Sequence, residues 1–184
     1  MGDAVRIAAA LSTPVAPIWF GIPESLTFVV VLGVLILPRV ARLAGPFDAA
    51  FSSTILLAAW SAVIGLYAAI GWWDLVVHFI TVGASAAVLF LLLARLDVTP
   101  GTSVGKALPS RSIVVLTFAF GISVAVLWEF AEWIGNAVFD AGLNVGYGDT
   151  LGDLAVGGLG AIVAGLALAR WKDQTAEIQN SARK

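Results

Sequence analysis

The chain is expected to fold as an all-α, polytopic bundle of membrane-spanning helices, and three observations carry that expectation. Of its 184 residues, 60% are hydrophobic and only 12% charged, whereas a soluble domain is about 45–50% apolar and about 25% charged. Mean hydropathy is +0.97. Long apolar runs recur along the chain, each approaching the roughly 20 residues that a spanning helix needs. Too little sequence remains between them for a separate soluble domain. The net charge of −2, with no basic cluster outside short loops, argues against nucleic-acid binding. With no cysteine, disulfides and thiolate metal sites are excluded.

Residues 1–24 come first. "MGDAVRIAAALSTPVA" resembles a signal peptide only loosely: its apolar core is short and its charged region mixes Asp3 with Arg6, so no cleavage is assigned. Pro14, Pro17 and Pro23 should break the segment that follows, which reads as an interfacial or re-entrant piece. A first span is expected at about 25–43, although Pro38, Arg39 and Arg42 interrupt its second half. Four clearer spans follow at about 51–71, 73–94, 113–133 and 151–170, and a polar tail, 171–184, closes the chain.

Basic residues orient the five spans. Arg39 and Arg42 follow the first span, Arg95, Lys106 and Arg111 lie between the third and fourth, and Arg170, Lys172, Arg183 and Lys184 follow the fifth. Nine of the ten lysines and arginines therefore fall on one side, with Arg6 alone on the other. The positive-inside rule makes that side cytoplasmic, with the N-terminus outside and the C-terminus inside. Acids distribute the other way: only Asp48, Asp97, Asp173 and Glu177 of the twelve fall inside. Asp3, Glu24 and Asp140 lie outside, together with the three pairs described next.

Three outer helix ends carry polar pairs at helical spacing. Asp74 and His78, the sole histidine, are four apart at the start of the third span. Glu129 and Glu132 are three apart near the end of the fourth, with Asn136 one turn on. Asp149 and Asp153 are four apart at the start of the fifth. Alternating topology brings all six to one depth, each within about one turn, or about 5.4 Å, of the interface.

Each pair has an ordinary structural explanation. Asp74 and Asp149 suit helix N-termini, and Thr150 to Asp153 ("TLGD") fits a capping box. A lone histidine reads as a hydrogen-bonded core residue, and Glu129 and Glu132, beside Trp128 and Trp133, as an interfacial belt. Taken together they read differently. Five carboxylates at one low-dielectric face, opposed only by Arg6, cannot all stay ionised unless a cation binds. Glu129 also lies near a helix C-terminus, where the macrodipole disfavours an anion.

One imidazole among carboxylates suits Zn, Mn, Fe or Mg. The candidate ligands are Asp74, His78, Glu129, Glu132, Asp149 and Asp153, with Glu129 and Glu132 also candidate general bases. A metal-bound water could attack an ester or phosphoester. No HExxH motif is present. A conduit would need polar residues through the cytoplasmic half, where Thr81, Ser85 and Ser123 are few. In the fifth span Gly157, Gly160 and Ala164 continue the face of Asp153, with Gly158 and Gly165 off it, so this small-residue face should turn inward.

"DLVVHF", "LWEFAEW" and "GYGDTLGDLAVGGLGA", on successive spans, resemble the YjdF-like family of bacterial integral membrane proteins. More loosely they resemble VanZ-like proteins, whose pattern is Asp-x3-His, Glu-x2-Gln and Asp-x3-Asn-x2-Gly. Glu132 stands where that pattern has glutamine, and Gly157 where it has asparagine, so a polar role at 157 is not carried over. The likeness covers about residues 70–165. It implies a small multi-pass protein of the bacterial cytoplasmic membrane, and for the VanZ-like proteins an association with resistance to a lipoglycopeptide antibiotic. It assigns no catalytic residue.

Two functional classes follow. One is a metal-dependent enzyme working at the outer face on a lipid or cell-envelope precursor. The other is a non-catalytic membrane protein binding a cation, lipid or lipophilic ligand, with a transporter subunit as a weaker variant.

Overall fold

A computed structural model describes residues 1–100, 108–139 and 145–181, apart from the side chains of residues 23–25, 139 and 179–180. Lys106, Asp140, Arg183, Lys184 and the side chain of Glu24 therefore lie outside the described residues. Those described are helical, with no strand among them. Four helices are long and apolar enough to cross a membrane: Gly45–Val63, Trp73–Arg95, Ser110–Val138 and Tyr147–Ile178. The apolar stretch Leu26–Val40 is shorter. The chain divides into two compact units, Met1–Val77 and His78–Lys184.

The first unit packs α1 (Gly2–Trp19), α2 (Ile22–Val40) and α3 (Gly45–Val63) against one another, followed by the short α4 (Leu66–Ala69). Pro14 and Pro17 do not break α1, contrary to the interruption expected of them. Tertiary packing outweighs the local cost. Ala9 and Ala16 are fully buried, and Trp60 Nε1 of α3 donates to Ser12 Oγ at 3.1 Å. At 18 residues, α1 is about 27 Å long. It returns as α2 through Gly21, whose φ of 127° and ψ of 177° belong to a region that only glycine occupies readily.

Charge fastens the open end of this hairpin. Arg6, 13% exposed, pairs with the equally buried Asp48 and donates through Nε to the Leu35 carbonyl at 2.7 Å. Arg39 Nε meets Asp3 Oδ1 at 3.0 Å. The topology read from the sequence held Arg6 and Asp3 on the face opposite Arg39 and Asp48. The structure brings all four to one end of the unit, because α1 packs along α2.

The span expected at 51–71 starts earlier and stops sooner. Pro46 opens α3, and Gly65 in the left-handed region (φ 75°) ends it just past Ile64, the usual glycine stop of a helix.

The second unit contains α5 (Trp73–Arg95) from His78 onward, α6 (Ser110–Phe139) and α7 (Tyr147–Ser181). Small residues on two faces of α7 let both neighbours approach. Toward α5, an added Cβ on Gly160 would strike the Phe79 carbonyl oxygen, and one on Gly83 would stand 2.7 Å from the Gly160 carbonyl oxygen. Toward α6, Ala161 meets Gly121, and Gly165 lies against the Val114 backbone. The inward face of Asp153, Gly157 and Gly160 is as expected, all three being buried. Gly158 and Gly165, which fall off that face, serve the second neighbour. The tail continues as helix to Ser181, tied to the start of α6 by Lys172 Nζ, which reaches Ser110 Oγ at 3.1 Å.

Candidate functional site

α5 presents His78 from a buried position, 3% exposed, one helical turn past Asp74. α6 brings Glu129 and Glu132 to it: one ligand atom from each of the three residues lies within 4.8 Å of the others. Two donors on one ion, at bond lengths of about 2.1 Å, stand at most about 4.2 Å apart. The three groups are thus near enough that they could hold a metal ion. His78 also takes part in a second grouping. Asp153 of α7, 1% exposed, offers an oxygen within 4.8 Å of a His78 nitrogen.

Trp128 orders the α6 side of the site. Its Nε1 donates to Glu132 Oε1 at 2.8 Å, fixing that carboxylate. Its ring meets the imidazole edge-to-face, with centroids 6.0 Å apart. Trp128 lies four residues before Glu132, a spacing visible in the sequence. The sequence reading assigned it to an interfacial belt, and its role as a donor was missed. Glu129 differs from its neighbour: its Oε1 is buried with no hydrogen-bond partner among the described residues. A buried carboxylate oxygen in that state is costly unless something cationic or protonated meets it.

Glu129 also borders a cleft of about 370 Å³. Val126, Phe130 and Trp133 of α6 and Leu154 of α7 make it apolar, and Glu129 and Thr150 are its polar residues. The cleft lies within the second unit. Nothing in the sequence pattern announces it, because its walls are residues that would otherwise read as lipid-facing.

Of the six residues expected to converge, His78, Glu129, Glu132 and Asp153 gather within the second unit, and Asp74 precedes His78 by one turn on the same helix. Asp149 is the exception: it is half-buried one turn before Asp153 and belongs to neither grouping. The proposed capping box at Thr150 to Asp153 is also not formed. α7 starts at Tyr147, and the Thr150 N–H already donates to the Gly146 carbonyl at 2.9 Å, so these residues lie inside the helix. Asp74 does sit in the first turn of α5, where a carboxylate is favoured.

A family model described as "Predicted membrane protein (DUF2238)" matches residues 4–174. No curated protein and no solved structure matches the chain. DUF2238 is the YjdF family, in line with the first resemblance; the VanZ-like one is not part of the match.

Proposed function

Since the chain belongs to the DUF2238 family of predicted membrane proteins, we propose that it works inside the bilayer as the holder of a divalent cation. His78, Glu129 and Glu132 supply the ligands. The observation that carries the reading is the meeting of the only histidine with two glutamates of another helix, in a chain just 12% charged. His78 is the one residue common to both groupings, and an imidazole has two nitrogens. One nitrogen is assigned to the cation. The other is assigned to Asp153, the carboxylate–histidine arrangement that orients metal ligands and raises their basicity. Zn, Mn, Fe or Mg fits such a donor set.

The adjoining cleft suggests what the cation acts on. An amphiphile with its chain among Phe130, Trp133 and Leu154 has its polar end at Glu129, which lines the cleft and belongs to the donor set. We therefore favour a metal-dependent enzyme cleaving an ester or phosphoester of a lipid or envelope precursor in the bacterial cytoplasmic membrane, with Glu129 among the ligands that activate a cation-bound water. The second reading, a binder without chemistry, uses the same residues. Incubating the purified chain with Mn²⁺ and vesicles of native lipid separates the two. The enzyme reading expects product in molar excess over protein, absent in Glu129→Gln. Cation-dependent stabilisation with no product selects the binder, and neither response rejects both.

Orientation belongs to the same proposal. The pairs of Asp3 with Arg39 and Arg6 with Asp48 support an N-terminus on the side of the basic loops, hence cytoplasmic. All ten basic residues then share one side, which replaces the N-outside topology with an even number of crossings. The absence of native cysteine makes the test direct. A cysteine appended to the N-terminus should resist an impermeant maleimide in intact cells, as should Ala41→Cys, while Trp72→Cys should label. Labelling of the N-terminal cysteine alongside Trp72→Cys would restore the original orientation.

A further inference from the structure

Hydroxyl side chains in these helices have a habit. Ser12, Ser61, Thr117, Ser123 and Thr175 each donate to the carbonyl four residues back. Thr117 is fully buried in the second unit and makes this bond at 2.7 Å. Thr81, also in the second unit, does not. It is 4% exposed, and its Oγ1 is buried with no hydrogen-bond partner among the described residues. A buried hydroxyl left without a partner is costly, a cost that a ligand on its other side would offset.

Position says what that is. Thr81 lies three residues past His78, on the same face of α5 and one turn deeper. The next residue, Val82, packs on Gly157 of α7 and toward Gly121 of α6. Thr81 is thus the buried hydroxyl one turn beyond His78, the residue common to both groupings. Of the buried polar side chains there, its hydroxyl and Glu129 Oε1 both lack a partner among the described residues. Divalent cations bound by few protein ligands keep water in their remaining positions, and that water needs hydrogen-bond partners of its own.

We propose that Thr81 is a positioning residue of this site: its hydroxyl holds a water carried by the cation at His78, Glu129 and Glu132. The inference rests on the cation reading and deepens it, since it assigns a partly hydrated divalent ion that keeps an exchangeable position. Thr81→Val removes the hydroxyl and nearly keeps the shape, and Thr81→Ser restores the hydroxyl.

The test is Mn²⁺ titration of the detergent-solubilised full chain, followed by the electron paramagnetic resonance signal of free Mn²⁺, with water-proton relaxation of the bound ion. Thr81→Val should weaken binding about tenfold or more, as loss of an outer-shell partner does, and should change the relaxation of bound water. Thr81→Ser should stay within about threefold of wild type. The cation-free thermal midpoint of Thr81→Val should not fall, because the hydroxyl it loses makes no bond among the described residues. If wild type binds Mn²⁺, His78→Ala does not, and Thr81→Val matches wild type in affinity and relaxation, the inference about Thr81 is overturned while the cation reading stands. If neither Mn²⁺ nor Zn²⁺ binds wild type, both are overturned.

Discussion

Gly160→Ala should lower the thermal midpoint of the purified chain far more than Gly158→Ala, and Gly33→Ala should not lower it at all. The three replacements add the same methyl group to a helix and differ only in what it meets. At Gly160 the new Cβ runs into the Phe79 carbonyl oxygen, which is main chain and cannot rotate away. At Gly158 it meets Ile122 Cδ1 at 3.0 Å and Phe118 Cε2 at 3.1 Å, the far ends of side chains that can swing aside. At Gly33 nothing lies within 4 Å, and alanine is the better helix former by about 1 kcal/mol. Overpacking costs about 1–3 kcal/mol where a core can yield and more where it cannot, so Gly160→Ala belongs at or above the top of that range. Tryptophan fluorescence during heating in detergent provides the comparison. A midpoint for Gly160→Ala equal to wild type would mean that α5 and α7 do not cross backbone to backbone. Phe79 adjoins His78, so the same substitution should also weaken cation binding.

His78→Ala should abolish the response to divalent cations. It removes the one nitrogen donor in an otherwise carboxylate set and the residue on which both groupings depend. At a cation concentration of about 100 times Kd, a folded-state ligand adds about 2.7 kcal/mol of stability. Wild type should show a rise of that order in its unfolding free energy with Mn²⁺ or Zn²⁺, and His78→Ala none. Asp149→Asn provides the control, because it removes a neighbouring carboxylate outside both groupings and should respond as wild type does. A preserved response in His78→Ala, or an equal loss in Asp149→Asn, would point to diffuse attraction of cations to acidic residues.

How much of this was legible in the sequence depends on the range over which each signal acts. Helices that cross a membrane announce themselves through composition alone, and α5, α6 and α7 lie where the apolar runs put them. Their ends do not: α3 stops at Gly65 because the chain turns left-handed there, and a run of apolar residues on both sides hides the break. The path of α1 was misread for a related reason. Three prolines signal interruption locally, whereas the bond from Trp60 to Ser12 and the pairing of Arg6 with Asp48 join residues 48 and 42 apart.

The groupings of polar side chains were readable where spacing and alternation sufficed. Asp74, His78, Glu129, Glu132 and Asp153 follow from pairs on helix faces, whereas Asp149, one turn before Asp153, belongs to neither grouping. Thr81 could not be found that way. A threonine in an apolar helix ordinarily bonds its own backbone, and only the burial of a hydroxyl that does not do so singles it out.

The central claim is a bound divalent ion at His78, Glu129 and Glu132, and elemental analysis of metal-loaded, gel-filtered protein tests it most directly. The prediction is about one ion per chain in wild type and in Asp149→Asn, and none above background in His78→Ala. Wild-type protein without metal, or His78→Ala retaining as much as wild type, would contradict it.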